Sequence, residues 1–234
     1  MFERTILKDH FESDDFFSNS STLFIIDNYN VFGIDNDAIN FYVNNFRDSG
    51  CRKIEIYFQV NFEKDKNHED LINNLADKCD FDYNTFHSIY SLLRIKFHYS
   101  KQNDPNKEKL FMNSFKKSIY KVVRAKSFVR RMKEIGIEVV LIPFSEAKIN
   151  PPFHGRYWLI RPDNKNGKGY IVDASLNTYG KGKVFAQLMD NENFERISEL
   201  FDDLIVKSTF GVKICLEELE YIIDKLNKIF PKNY

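Results

Sequence analysis

Two stretches decide the fold: Phe153-His154-Gly155-Arg156-Tyr157-Trp158-Leu159-Ile160 and, after a polar turn, Gly169-Tyr170-Ile171-Val172-Asp173-Ala174. Both are short runs rich in aromatic and β-branched residues, which favour a pleated, buried surface. The break between them carries Pro162, Asp163, Asn164 and Gly167, which are turn residues. Two strands joined so closely belong side by side in a sheet. Side chains alternate between the faces of a strand. His154 and Arg156 therefore project together while Gly155 points the other way, and the second strand delivers Asp173, Ser175 and Asn177 with one parity. An imidazole, a guanidinium and two small hydrogen-bonding side chains form a set suited to surrounding one phosphate.

Outward from this pair, the chain alternates between strand and helix patterns. On the N-terminal side, Ile137 to Pro143 is a buried strand, preceded by a long amphipathic helical pattern from Lys107 to Ile135 that stops at Gly136. Lys53 to Val60 is another strand. Before it, Asp35 or Asn36 caps a helix running to about Asp48, with Gly50 as its terminator. The apolar run Leu23-Phe24-Ile25-Ile26 is a buried strand ending at the turn-forming Asp27-Asn28-Tyr29-Asn30. Asn67 to Lys78 has a helical pattern, Thr85 to Tyr99 fits either a helix or a strand, and Asn103 to Asn106 is a loop. Towards the C-terminus, Glu192 to Val206 and Leu216 to Ile229 are helical. Residues 1–20, acidic and aromatic, are expected as a surface extension, and 207–234 as a C-terminal helical segment. The order predicts an α/β fold in a single domain. Strands 23–28, 53–60, 137–143, 153–160 and 169–174 are expected in one mixed sheet flanked by helices.

The chain has 34 basic and 34 acidic residues, so no global field draws it to nucleic acid or an anionic membrane, and any basic surface must be local. Such a surface is offered by Lys116, Lys117, Lys121, Arg124, Lys126, Arg130, Arg131 and Lys133 on the long helical pattern. Lys117, Lys121, Arg124 and Arg130 are its candidate nucleic-acid contacts; a solvated helix face is the other reading. Cys51, Cys79 and Cys215 are odd in number and form no Cys-x-x-Cys pair, which points to reduced thiols in a cytoplasmic protein. The charged start Met1-Phe2-Glu3-Arg4 is not expected to be a signal peptide, and no apolar run approaches membrane-spanning length. His10, His68, His87 and His98 lack metal-ligand spacing. No nucleotide loop, nucleophile elbow or zinc helix motif occurs, so neither a metal nor a cofactor is expected.

The segment from His154 to Asp190 resembles the phospholipase D superfamily motif, His-x-Lys followed by Gly-Ser-x-Asn. It is most similar to a bacterial branch with Arg in place of Lys, whose run is roughly His-Asp-Arg-Phe and then Gly-Ala-Ser-Leu-Lys-Asp-Leu-Gly-Lys-Lys. The detailed match covers some 40 residues. On this resemblance His154 takes the histidine position, Arg156 the lysine, Ser175 the serine and Asn177 the asparagine, with Gly180 and Lys181 on the Gly-Lys of the branch. Lys181 and Lys183, beside glycines, are candidate phosphate contacts through amides and charge; a solvated turn is the other reading. Gly155 and Asp173 depart from the pattern, which has Asp and Gly there. The motif aspartate is also missing, since its position is Arg161 and Asp163 lies two residues further on.

The resemblance implies a metal-independent phosphodiesterase of nuclease type. His154 attacks phosphorus to form a phosphohistidine, and Arg156, Ser175 and Asn177 hold the phosphoryl oxygens. A second histidine must protonate the leaving oxygen. His154 is the only histidine followed two residues later by Lys or Arg, so a catalytic form calls for a homodimer. Two alternatives use the same fold. One is a module that recognises nucleic acid or a phosphorylated protein partner without turnover, in phage defence or a mobile element, where some members of the branch occur. The other is a lipid head-group binder.

Overall fold

A computed structural model of the chain describes residues 5–6, 22–27, 34–60, 77, 123–145, 155–160, 167–173, 185–207 and 214–229. The strands are β1 (Thr5–Ile6), β2 (Thr22–Asp27), β3 (Lys53–Val60), β4 (Glu138–Ser145), β5 (Arg156–Ile160), β6 (Lys168–Val172) and β7 (Phe185–Leu188). The helices are α1 (Asn36–Phe46), α2 (helical over 123–134), α3 (Asn191–Lys207) and α4 (Leu216–Ile229). The strands form one seven-stranded mixed sheet in the order β1-β7-β6-β5-β2-β3-β4. β2, β3 and β4 run parallel, whereas β5, β6, β7 and β1 are added antiparallel. The fold is thus α/β, a mixed sheet flanked by helices.

Local chemistry sets the elements. Asp35 caps α1 by accepting from the Ala38 amide at 3.0 Å. α1 then presents Ala38, Ile39, Tyr42, Val43 and Phe46 as one buried stripe. The parallel β2–β3 pair needs a crossover, and α1 supplies it. α2 ends where Gly136 takes φ 82. The Gly136 amide donates to the Lys133 carbonyl at 2.9 Å and the Ile137 amide to that of Met132 at 3.0 Å, which closes the helix end.

The sheet carries a core on each face. On one, Trp158 packs among Tyr42, Phe46 and Phe128; the Tyr42 ring lies 6.2 Å from Trp158 and 5.3 Å from Phe128. On the other, Phe201 of α3 meets Tyr57 at 4.5 Å and Phe24 at 5.3 Å, with Ile26, Leu159 and Ile142 around them. Edge-to-face rings at these spacings add to the area they bury. Glu55, 8% exposed in β3, is matched by the Lys53 ammonium at 2.8 Å and the Tyr57 hydroxyl at 2.8 Å. A buried charge needs such partners.

Two expectations change. Thr5 and Ile6 are not surface extension: they pair with Ala186 and Phe185 at the sheet edge. β7 is a strand that the sequence pattern did not mark. The expected helix over 67–78 (Asp77 apart, which is helical), the stretch 85–99, the loop 103–106, the first part of the 107–135 helix and most of the 162–167 turn lie outside the described residues. Among the described residues no helix is long and apolar enough to cross a membrane.

Candidate phosphate site at the sheet end

The C-terminal ends of β2 and β6 and the N-terminal ends of β5 and β7 meet along one edge of the sheet. In open α/β sheets this is where ligands bind, outside the carboxyl ends of the parallel strands. Arg156 is the first residue of β5 and stands directly opposite Asp27, the last of β2. Its Nε lies 3.8 Å from Asp27 Oδ1, and its Nη1 donates to the Asp173 carbonyl just past β6 at 3.0 Å. The guanidinium therefore spans both neighbours of its own strand. Asp27 is 2% exposed, and a cation beside a carboxylate so buried offsets part of its desolvation. The Arg156 side chain keeps 25% of its surface open to solvent.

Asp173 continues the chain of bonds to the next strand. Its amide donates to the Phe185 carbonyl at 3.2 Å, and its Oδ1 accepts from the Phe185 amide at 3.0 Å. A polar connection thus runs Asp27–Arg156–Asp173–Phe185 across β2, β5, β6 and β7. The parity expected for Asp173 needs correcting. Tyr157 pairs with Ile171, so Asp173 falls opposite Gly155, and Arg156 meets its carbonyl rather than its side chain. The strand ends at Val172 and Asp173 is a bend, which breaks strict alternation.

On the other face of β5, Tyr157 explains Gly155. A Cβ at Gly155 would come within 2.0 Å of the Tyr157 ring and hydroxyl, so the ring occupies the space of any side chain at 155. The Asp of the resembled branch does not fit while Tyr157 stays there. Burial pushes the Tyr157 phenol up, and the charge of Arg196 on α3 pulls it partly back.

Of the site residues expected from sequence, Arg156 is placed as described. His154, Ser175, Asn177, Gly180, Lys181 and Lys183 lie outside the described residues, as do Lys117 and Lys121 of the basic helix. The described part of that helix keeps its cations close to partners. Lys126 pairs with Glu220 at 3.4 Å, Lys133 with Glu217 at 3.0 Å and Arg130 with Glu134 at 3.7 Å, while Arg131 donates to Asn40 at 2.6 Å. Arg124 is exposed. Sequence reasoning took Asp27 for a turn former and missed its role beside Arg156. The available signal was a carboxylate directly ending the apolar run 23–26, at the carboxyl end of a buried strand.

No protein-family model matches the chain, and no curated protein matches it.

A concavity of about 400 Å³ opens at the opposite end of the sheet between Arg52, Lys133, Glu138, Cys215 and Glu217. Burial and bonds from neighbouring carboxylates push the Cys215 thiol up to about 11, so it is protonated and a poor nucleophile at neutral pH. Among the described residues no cluster of three or more His, Cys, Asp or Glu is disposed to hold a metal ion.

Proposed function

We propose that this chain is a phospholipase D-like module of phosphodiesterase type that acts on nucleic acid through His154. The observation that carries the reading is the position of Arg156, held at a sheet end between Asp27 and the Asp173 carbonyl. His154 stands two residues before it in the chain and Ser175 two after Asp173, and the described residues nearest them, Arg156 and Asp173, lie at one end of the sheet. In the proposed reaction an imidazole nitrogen of His154 forms a bond to phosphorus while the bond to the leaving oxygen breaks. A second imidazole gives that oxygen a proton. Water then attacks the phosphohistidine, returns a proton to the second imidazole and frees His154. Arg156, Ser175 and Asn177 hold the charge on the phosphoryl oxygens, Gly180, Lys181 and Lys183 add contacts, and no metal takes part.

A second reading is favoured by the same arginine. Its guanidinium is held between a buried carboxylate and a carbonyl with part of its surface open, an arrangement that suits holding a phosphate without cleaving it. Nuclease assays in EDTA on the wild type and His154→Ala, beside nucleic-acid and phosphate binding by Arg156→Ala, separate the two. The first reading expects EDTA-resistant cleavage that His154→Ala abolishes. Binding without cleavage, weakened by Arg156→Ala, selects the second. Binding that Arg156→Ala leaves unchanged in a folded protein defeats both.

A further inference from the structure

We infer that Asp173 is a positioning residue for Arg156, locking the guanidinium at the sheet end where the proposed function has it meet phosphate. The inference rests on that reading and extends it to a residue at which the resembled motif has Gly. Three bonds pass through this one residue. The Asp173 carbonyl accepts from Arg156 Nη1 at 3.0 Å, its carboxylate accepts from the Phe185 amide at 3.0 Å, and its amide donates to the Phe185 carbonyl at 3.2 Å.

An arginine side chain has large rotamer freedom, and a guanidinium whose plane is already fixed loses less of it on binding an oxyanion. The carbonyl that fixes this one belongs to a bend past the end of β6, beyond the strand's own ladder. What secures the bend is the reciprocal pair with Phe185, and half of that pair is the Asp173 carboxylate. Glycine there would keep the main-chain bond and lose the other. Asp27 holds the opposite side of Arg156 but sits in a strand and has the ladder to β5 to place it. Asp173 is therefore the anchor whose position depends on its own side chain.

The test compares Asp173→Ala with Asp173→Asn, whose amide oxygen still accepts from the Phe185 amide. Two quantities are read on the full chain: the NMR signal of the Arg156 Nη–H protons, one of which makes the bond to Asp173, and affinity for inorganic phosphate by calorimetry. The wild type and Asp173→Asn should show a sharp Arg156 signal and equal phosphate affinity. Asp173→Ala should broaden the signal and bind about five- to tenfold more weakly, the loss expected from one hydrogen bond. An Arg156 signal that stays sharp in a folded Asp173→Ala overturns the inference and leaves the phosphate reading standing. So does an Asp173→Asn variant as impaired as Asp173→Ala. Phosphate affinity that Arg156→Ala does not change overturns the proposed function, and with it the purpose of the lock.

Discussion

At the scale of single residues, burial decides protonation. Cys51 is 2% exposed, and its thiol donates to the Lys53 carbonyl. Burial pushes its pKa from 9.0 up to about 11, with backbone bonds and Arg52 pulling back. The thiolate is the form that burial disfavours, so the folded chain keeps the proton to higher pH than the unfolded chain does. The resulting stability is full below pH 9 and is lost as pH rises towards 11. Two units correspond to roughly 2–3 kcal/mol at most. Cys215 and Tyr170 also have raised pKa values, about 11 and about 12, so the informative quantity is a difference between proteins. Denaturant unfolding of Cys51→Ala should show a flatter fall in stability between pH 9 and 11 than the wild type. Parallel slopes would mean that Cys51 ionises as freely folded as unfolded. Legibility at this scale was uneven. Arg156 could be placed because the strand that carries it has a pattern of its own. Asp173 was misassigned because the register that sets it opposite Gly155 is fixed between β5 and β6 and not within either strand, and Asp27 because its partner lies 129 residues away in sequence (156 − 27).

Elements were more legible, since each is set by a pattern within it. Strands expected at 23–28, 53–60, 137–143, 153–160 and 169–174 are found at 22–27, 53–60, 138–145, 156–160 and 168–172. The helices expected at 192–206 and 216–229 are found at 191–207 and 216–229. What escaped was β1 and β7, two and four residues long. Runs so short carry no periodicity of their own, and pairing with neighbours makes them strands. The terminator of α2 is a sequence signal with a measurable consequence. Gly136 takes φ 82, and a Cβ there would meet nothing within 4 Å. Gly136→Ala therefore incurs only the left-handed backbone penalty, about 1–2 kcal/mol, with no steric clash added. Urea denaturation should find that loss, with the midpoint lowered and the slope unchanged. No loss would mean that α2 ends in some other conformation. The long basic pattern was read correctly as a helix over its described part. Its candidate role in nucleic-acid binding is countered by α4, which sets Glu217 and Glu220 against Lys133 and Lys126.

For the whole molecule, the question is how one motif per chain could serve a reaction that uses two histidines. His10, His68, His87 and His98 are followed two residues later by Glu, Asp, Ile and Ser, so none offers a second His-x-Arg. An isologous dimer supplies the missing group directly, because a twofold axis sets the same residue of both chains side by side. With 34 positive and 34 negative side chains, no net charge opposes the association. The proposed phosphodiesterase should therefore sediment at twice its 27.8 kDa mass. Its activity should also fall in a characteristic way when subunits are mixed. A dimer of one wild-type and one His154→Ala chain has a nucleophile and no acid, or the reverse, and is inactive. Activity then follows the square of the wild-type fraction, so an equal, fully exchanged mixture keeps about a quarter of it rather than half. Linear dependence would place both catalytic groups within one chain and exclude a shared site. A monomer that binds phosphate and cleaves nothing would leave recognition without turnover as the function of the Asp27–Arg156–Asp173 edge.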